Sequence, residues 1–147
     1  MRRNHLNRRS RAGAATVELA VLLPVLCFLF VIAIDYARVF YYSLTMENAA
    51  RNGAYYASDY PGIYSYQTAE QVTLADLSNL SPAPTVEIRY STVSDGPFDS
   101  AAPISTGYVQ VQVTWTFNSI TRFPGVPNTT ILVRRCHMKV APITPSF

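Results

Sequence analysis

Residues 12–34 read AGAATVELAVLLPVLCFLFVIAI, a run of twenty-three residues in which Glu18 is the one charged side chain. From Leu19 to Ile34 there are sixteen consecutive uncharged residues. About 20 largely apolar residues in a helix cross the roughly 30 Å hydrocarbon core of a bilayer, so this segment is long enough to span one. Its flanks give it a direction. Arg2, Arg3, Arg8, Arg9 and Arg11 precede it, with no acid in the first thirteen positions, and Lys and Arg are retained on the cytoplasmic side. The N-terminus is therefore expected in the cytoplasm and the remainder of the chain outside.

Working outward from this run, the composition divides. The 147 residues are 49% apolar and only 14% charged, against roughly 25% charged in an average soluble domain. That length allows one domain of ordinary size with a real core. The formal charge of +3 comes from the five N-terminal arginines; beyond them, seven basic residues face nine acidic ones. No basic, aromatic-interleaved surface is left for phosphates, which argues against a nucleic-acid partner.

A cleaved secretory signal would need small residues just before its cut, and the run instead ends Ala33-Ile34-Asp35-Tyr36. Arg8-Arg9 also fits a twin-arginine export signal poorly, because the core that follows is very apolar. An uncleaved anchor explains everything except Glu18. A carboxylate deep in lipid costs a few kcal/mol, so it asks for a partner or a headgroup position near the positive end of the helix dipole.

Gly13, four uncharged residues and then Glu18 reproduce the processing site of type IV prepilins and pseudopilins: a basic leader, a glycine at the cut, and a glutamate at mature position five. Here the sequence resembles the TadE-like family of pseudopilins of the Tad pilus system. The resemblance is carried by RRSRAGAATVELAVLLPVL (Arg8 to Leu26), by Asp35-Tyr36-Ala37-Arg38, and by Asn48-Ala49-Ala50-Arg51-Asn52-Gly53-Ala54-Tyr55-Tyr56-Ala57. It implies that prepilin peptidase cuts between Gly13 and Ala14, and that Glu18 neutralises the new terminal amine of a neighbouring subunit during assembly. It also marks Asp35, Arg38, Asn48, Arg51 and Gly53 as family-motif positions. One departure is Leu19, where many members carry Phe or Tyr after the glutamate. The implied partners are the lipid bilayer, other pilin or pseudopilin subunits, prepilin peptidase and the Tad assembly machinery, at the bacterial inner membrane or within a pilus outside the cell.

Pro24 sits inside the apolar run, where a proline removes a backbone hydrogen bond; a kink is expected there. Past the membrane, residues 35–57 contain no Pro, and Val39, Tyr42 or Ser43, Met46, Ala49 or Ala50, and Gly53 recur at spacings of three and four. One helix over 16–57 would be about 63 Å long, so about half would lie beyond the bilayer. Tyr36, Phe40, Tyr41 and Tyr42 suit either an interfacial aromatic belt or the core of the outer domain. The small residues Ala49, Ala50, Gly53, Ala54 and Ala57 admit a close backbone, in the first instance that of the protein's own sheet.

Nine of the ten prolines follow residue 60. Residues 60–66 read as a loop, and 68–79 as a short helix with Val72, Leu74 and Leu77 near one face. Strands are expected over 86–90, 108–117 and 129–140. The clearest is YVQVQVTWTF, with Val109, Val111, Val113, Trp115 and Phe117 on one face and Gln110, Gln112, Thr114 and Thr116 on the other. The fold class is thus α+β and pilin-like: a long N-terminal helix with a small antiparallel, three-stranded sheet on its outer half. The boundaries read as 1–13 leader, 14–34 transmembrane segment, 35–57 helix continuation and 58–147 extracytoplasmic domain.

Cys27 and Cys136 do not make a disulfide framework, and each reads as a small apolar residue. His5 and His137 are isolated, and Asp95 and Asp99 in a turn are weak evidence for calcium, so no metal or other cofactor is expected. Asn128-Thr129-Thr130 fits a glycosylation acceptor, a pattern common by chance. No phosphate loop, nucleophile elbow or catalytic carboxylate pair is present in the sequence, which gives no case for an enzyme. The resulting expectation is a TadE-like minor pseudopilin that helps assemble or initiate a Tad-type pilus for adhesion or secretion. Its alternative is an uncleaved single-pass anchor whose outer sheet binds a ligand or surface.

Overall fold

A computed structural model describes residues 6–59, 66–99, 107–120 and 128–141. In chain order these form α1 (Leu6–Ser58), α2 (Tyr66–Asp76), β1 (Thr85–Ser91), β2 (Tyr108–Asn118) and β3 (Thr129–Lys139). The chain divides into two compact units, Met1–Arg38 and Val39–Phe147.

In the first unit the helix begins at Leu6, ten residues ahead of the expected start, and its assignment runs unbroken through Gly13 and Pro24. A single glycine costs a helix only about 1 kcal/mol, which its neighbours on both sides readily absorb. Every side chain from Gly13 to Val31 is exposed, including Val21 and Phe30, each at 68%. In water such a surface would be very unfavourable. Within the described residues this is the one helix long and apolar enough to cross a membrane.

The second unit is built on the outer part of α1. Met46, Ala49, Ala50 and Ala54 are fully buried, with Val39 and Tyr42 packed at the margin, so the stripe read at spacings of three and four is the packing face. The sheet that covers it has the order β1-β2-β3 with both pairs antiparallel. In register, Ile88 lies opposite Val111, and Val111 opposite Cys136. Alternation does the rest: Val109, Val111, Val113, Trp115 and Phe117 are buried, while Gln110, Gln112 and Thr114 are only half-buried on the other face.

Trp115 closes the core at one end. Its ring lies 4.9 Å from Tyr42 and 6.1 Å from Phe117, and its Nε1 donates to the Pro82 carbonyl at 2.7 Å. The indole thus buries its apolar body and still satisfies its single donor. Of the four clustered aromatics, Tyr42 belongs to this core, whereas Tyr36, Phe40 and Tyr41 are 75%, 67% and 59% exposed.

The short helix differs in detail from its sequence reading. Its buried face is Ala69 and Thr73, continued by Leu77 just past the helix, while Leu74 is exposed and Val72 half-buried. The cause is close approach: a Cβ on Gly53 would run into the Thr73 hydroxyl, and would also lie 3.4 Å from Val111. Two helices meeting this tightly select small side chains at the contact. The Thr73 hydroxyl, buried there, donates to the Ala69 carbonyl at 2.8 Å, and Asn52 Nδ2 donates to Asp76 Oδ2 at 2.7 Å beside it. Finally, the Ala141 amide donates to the Ser58 carbonyl at 2.8 Å, joining the chain after β3 to the end of α1.

Candidate functional site

The residues singled out by sequence all fall on α1, and so form a line along a helix rather than a pocket. Gly13 is exposed, has nothing within 4 Å of where a Cβ would stand, and is not among the positive-φ glycines, which among the described residues are Gly96 and Gly107. Neither space nor backbone conformation in this chain requires a glycine at that position, although glycine weakens a helix. Ala14 and Glu18 are four residues apart, hence on the same helix face. Glu18 is exposed and has no ion-pair partner among the described residues.

Further along, Asp35 is buried at 8% exposure and receives Arg38 Nη1 at 3.2 Å. Arg51 Nη2 lies 3.5 Å from Glu47 Oε1, an exposed pair one helical turn apart, of the kind that contributes only about 0.3–0.5 kcal/mol. Asn48 is exposed. Gly53 differs from Gly13, since its lack of a side chain is demanded by Thr73 and Val111. The marked positions therefore separate into one explained by packing (Gly53, with Ala49, Ala50, Ala54 and Ala57 around it), three that make ion pairs along the helix (Asp35, Arg38 and Arg51), and three that are exposed (Gly13, Glu18 and Asn48).

One local environment was not apparent from the sequence. Cys136 on β3 lies close enough to α1 for Arg51 and Glu47 to act on its thiol; burial pushes its pKa above the ordinary value of 9.0, Arg51 pulls it down and Glu47 pushes it up. Both Cys136 and Cys27 are free thiols. Among the described residues no group of three or more His, Cys, Asp or Glu is placed to hold a metal ion; His5 lies outside the described residues.

An apolar helix of membrane-spanning length, followed by an antiparallel sheet packed on its outer part, defines an α+β protein with its distinguishing residues on the helix. Residues 13–54 match the family described as TadE-like protein. The segment from Gly13 to Ala54 thus carries the TadE-like family's signature, as its resemblance to that family implies. No curated protein and no solved structure matches the chain.

Proposed function

We propose that this protein is a TadE-like minor pseudopilin, a non-enzymatic subunit held in the bacterial inner membrane by α1, with its N-terminus in the cytoplasm and its sheet outside. Prepilin peptidase cuts between Gly13 and Ala14. The mature chain then joins other pilin or pseudopilin subunits through the Tad machinery to assemble or initiate a pilus. On this reading residues 1–13 are the leader, 14–34 the membrane segment, 35–57 the continuation of the helix and 58–147 the outer domain.

The observation that carries the reading is the pairing of Gly13, a glycine that its described surroundings do not require, with Glu18, a carboxylate without an ionic partner among the described residues, on an apolar helix. Both are accounted for by events outside the subunit: recognition by a protease that reads a small residue, and neutralisation by the amine that the cut creates. An ammonium and a carboxylate in lipid are each costly alone and far less so as a pair. The family match over 13–54 supports the same assignment.

Intact-mass measurement of the protein extracted from membranes of cells containing the peptidase tests it. The expected mass is that of a chain beginning at Ala14, and a chain still beginning at Met1 overturns the proposal. Gly13→Ala is expected to impair cleavage. Glu18→Ala is expected to be cut normally but to enter pili poorly, and normal piliation by that variant refutes the charge pairing.

A further inference from the structure

The face of the sheet turned away from α1 carries a pattern that the assembly reading leaves unused. On β3, Arg135, His137 and Lys139 alternate outward and are all exposed, so successive cationic or imidazole side chains stand about 6.8 Å apart along the strand. Arg135 Nε donates to Gln112 Oε1 at 2.6 Å, a neutral partner that leaves its charge uncompensated. Neither Arg135 nor Lys139 has an acidic partner among the described residues. Across the sheet, Gln110 stands between His137 and Arg89, and Tyr108 opposite Lys139. Glu87, 3.5 Å from Arg89, is the one carboxylate on the outward strand positions.

The placement is selective. Beyond residue 13 the chain holds more acids than bases; six of the nine acids, Glu18, Asp35, Glu47, Asp59, Glu70 and Asp76, lie in or beside the two helices, and Asp95 and Asp99 lie in the segment after β1 whose Phe98 ring stands 6.3 Å from that of His137. The outward strand positions thus carry three cations, Arg89, Arg135 and Lys139, against the one carboxylate of Glu87, on a chain of negative balance. Between its cations, β2 presents Gln110, Gln112, Thr114 and Thr116, carboxamides and hydroxyls that both donate and accept hydrogen bonds. An open sheet face suits an extended chain, whereas small molecules favour concave sites.

We propose that this face binds an acidic polysaccharide, whose carboxylates meet Arg135, Lys139 and Arg89 and whose hydroxyls meet Gln110, Gln112 and Thr114. Charge density selects this occupant over nucleic acid. Duplex DNA carries a charge about every 1.7 Å, far denser than β3, whose cations Arg135 and Lys139 stand about 13.6 Å apart along the strand. A sugar polymer with one carboxylate per residue or per disaccharide is sparser, and rich in the hydroxyls that the central strand is equipped to meet. The inference is independent of cleavage and of pilus assembly.

The test is binding of the full chain in detergent micelles to polygalacturonate, with neutral dextran and duplex DNA as comparisons. Binding to polygalacturonate is expected to weaken with rising salt and to exceed binding to the other two. Arg135→Gln is expected to reduce affinity about three- to fivefold, and Arg135→Gln with Lys139→Gln roughly tenfold. Arg134→Gln is the control, removing the same charge from the adjacent residue on the opposite face, where its Nη1 donates to the Val133 carbonyl at 2.8 Å; unchanged affinity is expected. Trp115 fluorescence verifies that each variant is folded. Absence of binding to polygalacturonate, tighter binding to DNA, or an equal loss on Arg134→Gln each overturns the proposal.

Discussion

Gly53→Ala is the sharpest probe of how the outer domain is held on α1. In an isolated helix the change is favourable, because alanine exceeds glycine in helix propensity by about 1 kcal/mol. Here the new methyl points at the Thr73 hydroxyl and at Val111. Thr73 is fully buried and its hydroxyl is bonded to the Ala69 carbonyl at 2.8 Å, so it turns aside only by giving up that bond. Either α1 and α2 separate, at the roughly 1–3 kcal/mol typical of overpacking, or Thr73 rotates and leaves a buried hydroxyl unpaired, at about 1–3 kcal/mol. Set against the propensity gain, a net destabilisation of about 1–2 kcal/mol is expected. The assay is urea unfolding of the full chain in detergent, followed by fluorescence of Trp115, the single tryptophan. Thr73→Ala should cost stability in the wild type but restore it in the Gly53→Ala background, a coupling of about 1–2 kcal/mol. A Gly53→Ala protein as stable as the wild type, or additive behaviour of the two changes, refutes the close approach.

Trp115→Phe keeps an aromatic ring against Tyr42 but leaves the Pro82 carbonyl without its 2.7 Å donor; a loss of about 1–2 kcal/mol is expected in thermal or urea unfolding read by circular dichroism. Cys136, held protonated by burial, should alkylate more slowly than a model thiol at pH 8 and gain rate as pH rises. Arg51→Gln should slow it further and Glu47→Gln should speed it, measured by mass spectrometry after iodoacetamide. Because the folded-state pKa lies above the ordinary thiol value, the native state binds more protons than the unfolded one at alkaline pH. The Cys136 contribution is therefore neutral below the ordinary value of 9.0 and lowers stability as pH rises through it; Cys136→Ser should flatten that alkaline slope.

Much of the architecture was legible because its signals are periodic. The alternation in YVQVQVTWTF fixed which face of β2 is buried, and the spacing from Val39 to Gly53 fixed the packing face of α1. The face of the short helix is legible only in part, Leu77 being buried but Val72 half-buried and Leu74 exposed, for a physical reason. Large apolar side chains at Val72 and Leu74 suggested the contact, yet the nearness of Gly53 favours Ala69 and Thr73, residues whose smallness carries no sequence signal of burial. Gly13 and Glu18 stood out for the opposite reason, since nothing local demands either. The surroundings of Cys136 were illegible, because Arg51 and Glu47 are brought to it only by the docking of β3 beside α1.

The bond from the Ala141 amide to the Ser58 carbonyl also sets a timetable. The ribosome makes α1 before β3, and the C-terminal end of α1 is fastened to the chain just after β3. While β3 is still to come, Met46, Ala49, Ala50 and Ala54 have only part of the sheet that covers them in the finished fold, and Leu132 and Val140 have yet to join it. β3 is therefore the clasp of the outer domain. Any chain gathered into an assembly before that clasp closes is gathered unfinished, with its stickiest helical surface still open to neighbours.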